Sequence, residues 1–278
     1  MGNSDHHNSR GIALADRGWL EEAAKEFKKA IAANPDSSHA HDNLATVLAE
    51  QGELLDALIE YVEAVRADPS CPTAHHCLAS FLAGQGTDLA ISEYNKALEI
   101  EDDFPDAHLN LAMALAEKGD FIRALKELEI SHAQSPDDIV IHHELACCLI
   151  DVRQYPQAIM HLKVILEKRP DHVEALMDLG IAYTAQGLYT EAEKSLSSAL
   201  ELDAENAAAY YHLASLYAAW QKQEQALGHL EKAATYDAKL IYMWLQHDAL
   251  FIPLQNNPRY IDLFERLEHD ESKRHENQ

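Results

Sequence analysis

The chain has 278 residues, 47% of them apolar, and carries 47 acidic against 22 basic side chains for a net charge of −25. A surface this acidic disfavours nucleic acid and anionic lipid as partners, because both are held through Lys and Arg, and it allows basic protein partners. No apolar run approaches the ~20 residues of a membrane span and Met1 to Arg10 is polar, so the expectation is a cytoplasmic protein with no membrane insertion.

The first expected element pair runs from about Ser4 to Ser37. His7, Gly11 and Leu14 fall on one helical face, Gly18 breaks the chain, Ala23, Phe27 and Ala30 mark a second helix, and Asn34-Pro35 ends it. His41 then starts a series that recurs. Leu44, Ala45 and Leu48 form an apolar stripe at period 3.6, and Ala57, Tyr61 and Ala64 form another before Asp68-Pro69. His75 opens the same series with Leu78, Ala79 and Leu82, and His108 and His142 open the fourth and fifth. Proline stops helices at Pro35, Pro69 and Pro170 and is tolerated at helix starts at Pro72 and Pro105. Gly18, Gly52, Gly119 and Gly187 fall between the two helices of a pair, where a left-handed residue ends the first. No stretch alternates with period two. The third series is one residue short, around Gly84, Gln85 and Gly86.

After Ala238 the pattern changes. Trp244, Leu245, Leu250 and Phe251 predict an apolar helix, Pro253 and Pro258 bracket a turn, and Tyr260, Ile261, Leu263, Phe264 and Leu267 predict a second amphipathic helix. The last repeat of a linear array needs such a cover for its apolar face. Residues 269–278 are charged and expected to be disordered.

Seven such units in register resemble the tetratricopeptide repeat (TPR), which writes W-x2-L-G-x2-Y, then A-x3-F, then P over 34 residues. The sixth unit matches best, with Leu179, Gly180, Tyr183, Gly187, Ala192, Leu196 and Ala199. His stands at the family's Trp position in the first five units, where it is read as an aromatic substitute packing in place of Trp. The resemblance implies an all-α, right-handed TPR superhelical solenoid of antiparallel helix pairs. Its repeats are placed at about 4–37, 38–71, 72–104, 105–138, 139–172, 173–206 and 207–240, with capping helices at 241–268. The ending is similar to that of many bacterial TPR proteins.

By the same resemblance the first helix of each repeat lines a concave groove. The candidate partner-binding residues are Asp42, Asn43, Thr46, Glu50, His76, Asn110, Met113, Glu117, His143, Cys147, Met177, Ile181, Tyr211 and Ser215. The groove is acidic and polar early and apolar late, matching a partner segment with basic and apolar residues. The charge follows this trend, with 26 acids and 10 bases in residues 1–138 against 21 and 12 in the remainder. Asn43 and Asn110 stand where related superhelices hold the backbone of an extended peptide, and a side-chain amide can both donate to and accept from that backbone. Groove positions carry no Lys or Arg, which argues against a clamp for a terminal carboxylate. Glu22, Glu60 and Glu127 are placed on the outer side.

Other functions are weaker on this sequence. It has no phosphate loop, no G-x-S-x-G and no H-E-x-x-H, so no enzyme and no cofactor are expected. Cys71, Cys77, Cys147 and Cys148 are read as reduced. His143 and Cys147 lie one turn apart, and Cys71, His75 and Cys77 surround a helix start, but neither group has the paired spacing of a closed zinc site. The expected function is a protein-interaction scaffold or adaptor that binds an extended peptide or amphipathic helix. A homo-oligomer stacked through its terminal repeats and a metal-binding regulatory protein are the alternatives.

Overall fold

The structure, a computed structural model, describes residues 2–83 and 87–276, with side chains described to residue 269 except at position 87. The shortened turn at Gly84, Gln85 and Gly86 lies outside the described residues. Among the described residues there are sixteen α-helices, one 3-10 helix and no strand. The chain divides into two compact units, residues 1–137 and 138–278.

The first unit holds four helix pairs: α1 (Asn3–Ala15) with α2 (Leu20–Ala33), α3 (Ser38–Glu50) with α4 (Leu54–Ala67), α5 (Pro72–Ala83) with α6 (Thr87–Ile100), and α7 (Pro105–Glu117) with α8 (Phe121–Gln134). Each helix packs on the next, and α1, α3, α5 and α7 also touch in succession. The second unit holds α9 (Ile139–Asp151) with α10 (Tyr155–Lys168), α11 (Val173–Ala185) with α12 (Tyr189–Leu202), and α13 (Ala207–Ala219) with α14 (Gln223–Tyr236). There α15 (Ala238–Leu245), a 3-10 helix (Ala249–Leu254) and α16 (Pro258–Glu276) complete the chain. Helix α16 continues past residue 268, where the apolar pattern ends. No helix among the described residues is long and apolar enough to cross a membrane.

Small residues set the spacing within each pair. Ala23, Ala57, Ala90, Ala124, Ala158, Ala192 and Ala226 recur at one repeat position and are fully buried. The first helix approaches its partner closely at Gly11 and Gly180, where an added Cβ would lie 2.5 Å from the Phe27 ring and from Leu196 Cγ. The turn between paired helices is left-handed at Gly18, Gly52, Gly119 and Gly187, with φ of 76, 82, 82 and 74°. Arg153 and Gln221 take the same place without glycine, each at φ 61°. The second unit ends in an apolar cluster in which Ile241, Leu245, Phe251, Leu254 and Leu263 cover Leu227 and Leu230.

The repeating histidines do more than fill the Trp position. His41 Nδ1 lies 2.6 Å from Glu60 Oε2 and its Nε2 3.0 Å from the Pro35 carbonyl. His75 faces Glu93 at 2.7 Å and the Pro69 carbonyl at 3.1 Å, and His108 faces Glu127 at 2.7 Å and the Asp102 carbonyl at 2.9 Å. His7 meets Glu26 at 2.7 Å. A carbonyl only accepts, so Nε2 donates, and one proton must lie between Nδ1 and the carboxylate. The rings of His41, His75 and His108 thus tie the two helices of a repeat to the loop before it, while His7 joins its two helices alone. Glu60 and Glu127 therefore cannot serve as inert outer-face positions. Hydrogen bonds from Lys29 and then His7 pull the Glu26 carboxyl down to about 2.

Candidate functional site

The first helices of successive repeats present positions i and i+4 on one face. In the first unit these helices are joined by a row of side-chain contacts, each running from the fifth residue of one repeat to the sixth of the next. Asn43 Nδ2 donates to Asn8 Oδ1 at 3.0 Å, and Asn110 Nδ2 lies 3.0 Å from His76 Nε2. Asp42 accepts from the Cys77 thiol. Both asparagines considered for holding a peptide backbone thus have a partner within the chain. The amide bond to His76 uses Nε2 as acceptor, which fits a ring whose pKa burial pushes down. That ring also packs on Phe104, centroid to centroid 4.8 Å.

Asp42 is half-buried, and its Oδ1 has no hydrogen-bond partner. Burial pushes its carboxyl up to about 6, against the lowering effect of the Cys77 hydrogen bond. Burial likewise raises the Cys77 thiol to about 12. Thr46 spends its hydroxyl on the Asp42 carbonyl at 3.0 Å and on the Tyr61 hydroxyl at 3.2 Å. Glu50, Glu117 and Met113 are exposed on this unit.

In the second unit the same face carries His143 and Cys147 on α9, Met177, Asp178 and Ile181 on α11, and Tyr211 and Ser215 on α13. His143 Nε2 pairs with Asp178 Oδ2 at 3.0 Å, continuing the fifth-to-sixth rule. Ile181, Thr184 and Ala185 from α11, Tyr211, His212, Ser215 and Ala219 from α13, and Asp248 and Leu250 at the start of the 3-10 helix line a cavity of about 470 Å³. Its walls are apolar apart from the Asp248 carboxylate, His212 and the hydroxyl-bearing side chains of Thr184, Tyr211 and Ser215.

Tyr211 contributes to this wall, yet only 4% of it is exposed. Its hydroxyl donates to Asp248 Oδ2 at 2.8 Å, and its ring meets Trp244 and Phe251 at 4.8 and 5.5 Å. It fastens the C-terminal segment to α13 rather than standing free. Ser215 is buried and returns its hydroxyl to the Tyr211 carbonyl. Asp248 is fixed a second time by the Leu250 N–H at 2.9 Å. Asp248, His212 and Thr184 escaped the sequence reading. His212 and Thr184 were available from the repeat register, whereas Asp248 belongs to the non-repetitive ending and gave no signal.

Family models described as tetratricopeptide repeat match residues 8–72, 93–126 and 149–216, together more than half of the chain. The chain belongs to the tetratricopeptide repeat family. TPR chains are protein–protein interaction scaffolds, and the seven helix pairs form the all-α TPR solenoid. Solved structures with this fold include YrrB, described as a TPR protein with an unusual peptide-binding site. It is 23% identical over 67% of this chain and 96% of its own, with a TM-score of 0.62. A TPR protein of Parabacteroides merdae is 19% identical over 88% and 98%, at 0.63. Pseudomonas aeruginosa pilF is 18% identical over 76% and 97%, at 0.60. At these identities the likeness is one of fold. No curated protein sequence matches this chain significantly.

Proposed function

We propose that this TPR protein is a non-enzymatic adaptor that holds a peptide segment of a partner protein on the face formed by its first helices. In this reading an apolar side chain of the partner occupies the cavity between α11, α13 and the 3-10 helix. A basic residue beside that anchor meets Asp248, while on the first unit the exposed Glu50 and Glu117 attract basic residues by their charge. The observation that carries the reading is the cavity itself, a concave apolar space with one fixed carboxylate, the usual make-up of a site that takes a side chain. The likeness to YrrB, a peptide-binding TPR protein, supports it. Apolar anchors set residence time, and exposed charge sets association rate and salt sensitivity.

The test is affinity capture from lysate with mass spectrometry, wild type beside Ala185→Arg. Ala185 is exposed and lines the cavity, so the arginine fills the space without disturbing the core. Proteins captured by wild type and lost with Ala185→Arg would carry the anchoring segment. Glu50→Lys with Glu117→Lys should slow their association and flatten its salt dependence. An unchanged set of captured proteins and unchanged rates in both variants would overturn the proposal.

A further inference from the structure

Cys147 lies beside the His143–Asp178 pair. Its Sγ is 3.9 Å from His143 Nε2 and 3.8 Å from Asp178 Oδ2, and those two atoms are 3.0 Å apart. Among the described residues these three form the only group of histidine, cysteine and carboxylate side chains gathered closely enough to share an ion. Zinc binds imidazole nitrogen and carboxylate oxygen at about 2.0–2.2 Å and thiolate sulfur at about 2.3 Å, in a tetrahedron. Those bond lengths imply donor-to-donor edges of about 3.4–3.6 Å. The triangle already present needs its sides changed by only about half an ångström to meet them.

We propose that His143 Nε2, Cys147 Sγ and Asp178 bind one zinc ion on the second unit of this chain, leaving a fourth coordination position for water. The inference is independent of the peptide reading. Its donor set of nitrogen, sulfur and oxygen suits zinc, and a soft thiolate disfavours magnesium and calcium. His143 and Cys147 stand at i and i+4 on α9 and so share a face. Asp178 comes from α11, which packs against α9.

Three further observations favour a cation here. Glu144 and Glu174 act on the His143 ring, and Glu144 and Asp151 act on the Cys147 thiol, so the surrounding charges are negative. His143 and Asp178 keep side-chain exposures of 25% and 22%, which leaves an entry path. The His143 ring is steadied by His172, 5.5 Å away, which itself caps α11 by accepting from the Ala175 N–H. On binding, the Cys147 thiol releases its proton to solvent. The proton between His143 Nε2 and Asp178 moves to Nδ1 or leaves, freeing the Nε2 lone pair for the metal. The other cysteine-containing group is not equivalent. His75 has both ring nitrogens engaged by Glu93 and the Pro69 carbonyl, and Cys77 is bonded to Asp42.

The test uses the full-length protein freed of metal by chelator dialysis. Calorimetric titration with zinc chloride should give one equivalent bound. Titration with cobalt(II) chloride should give the visible bands of a tetrahedral ion and a thiolate-to-cobalt charge-transfer band. Cys147→Ser should abolish the charge-transfer band, and Asp178→Asn and His143→Gln should each weaken zinc at least ~10-fold, while Cys71→Ser changes nothing. In wild type, zinc should shield Cys147 from iodoacetamide as read by peptide mass spectrometry, a measurement that needs no variant to fold. Absence of stoichiometric binding, a charge-transfer band that survives Cys147→Ser, or alkylation of Cys147 unaffected by zinc would each overturn the proposal.

Discussion

Replacing Asp42 by Asn removes a carboxylate that folding strips of water and leaves with one unpaired oxygen. Burial raises its pKa from 3.8 to about 6. The protonated form is therefore favoured in the folded state, and the sign of the linkage follows. Asp42 costs nothing relative to the unfolded chain below pH ~4, costs progressively more between pH ~4 and ~6, and carries its full penalty above that. A shift of about two units corresponds to about 3 kcal/mol at ~1.4 kcal/mol per unit. Asp42→Asn should therefore stabilise the protein by about 2–3 kcal/mol at pH 8 and by less than ~1 kcal/mol at pH 4. Asp42→Leu should act in the same direction, since Leu109 fills this position in the fourth repeat. Urea unfolding followed by far-ultraviolet circular dichroism at both pH values measures the difference. Dilute samples are needed because the isoelectric point of about 4.9 lies between them. A gain of equal size at both pH values, or no gain in either variant at pH 8, would refute the reasoning.

Deleting residues 241–278 removes Ile241, Leu245, Phe251 and Leu254 from the cluster that covers Leu227 and Leu230. The truncated chain should bind a hydrophobic dye and self-associate by light scattering. Gly180→Ala should cost about 1–3 kcal/mol by overpacking against Leu196, and the cost should shrink in a Leu196→Ala background, read from a double-mutant cycle in urea. Arg153→Gly and Gln221→Gly relieve a left-handed backbone that disfavours a side chain by ~1–2 kcal/mol, less the flexibility glycine adds to the unfolded chain, so each should stabilise by roughly 0.5–1 kcal/mol. Equal or lower urea midpoints for the glycine variants would show that the turn holds no such strain.

The helix pairs were legible because each rests on local signals: apolar stripes at period 3.6, prolines at helix boundaries and glycines at the turns. Arg153 and Gln221 adopt the same turn without that signal, since the flanking helices impose it. The histidine positions were also visible, but their partners were not. Glu60 and Glu127 lie nineteen residues on, across a turn and on another helix, and a single helical wheel places them outward. The row linking Asn8 to Asn43 and His143 to Asp178 joins different positions of neighbouring repeats, so aligning equivalent positions hides it. Tyr211 sits on the groove face by register. It is buried because the non-repetitive ending folds over it, which periodicity has no means of showing.

The fifth-to-sixth contacts also restrict, at four joints, which repeat can follow which. These four joints each use their own chemistry: amide to amide at Asn8 and Asn43, carboxylate to thiol at Asp42 and Cys77, imidazole to amide at His76 and Asn110, imidazole to carboxylate at His143 and Asp178. A permuted array would not be neutral. Setting the sixth repeat directly after the second would bring Asp42 against Asp178, two carboxylates in one half-buried joint. A duplicated second repeat would instead offer Asp42 the Asn43 amide of the next copy, a pairing it can use. The helices are interchangeable as cylinders, while the polar contacts between them act as a lock that admits one neighbour and turns away another.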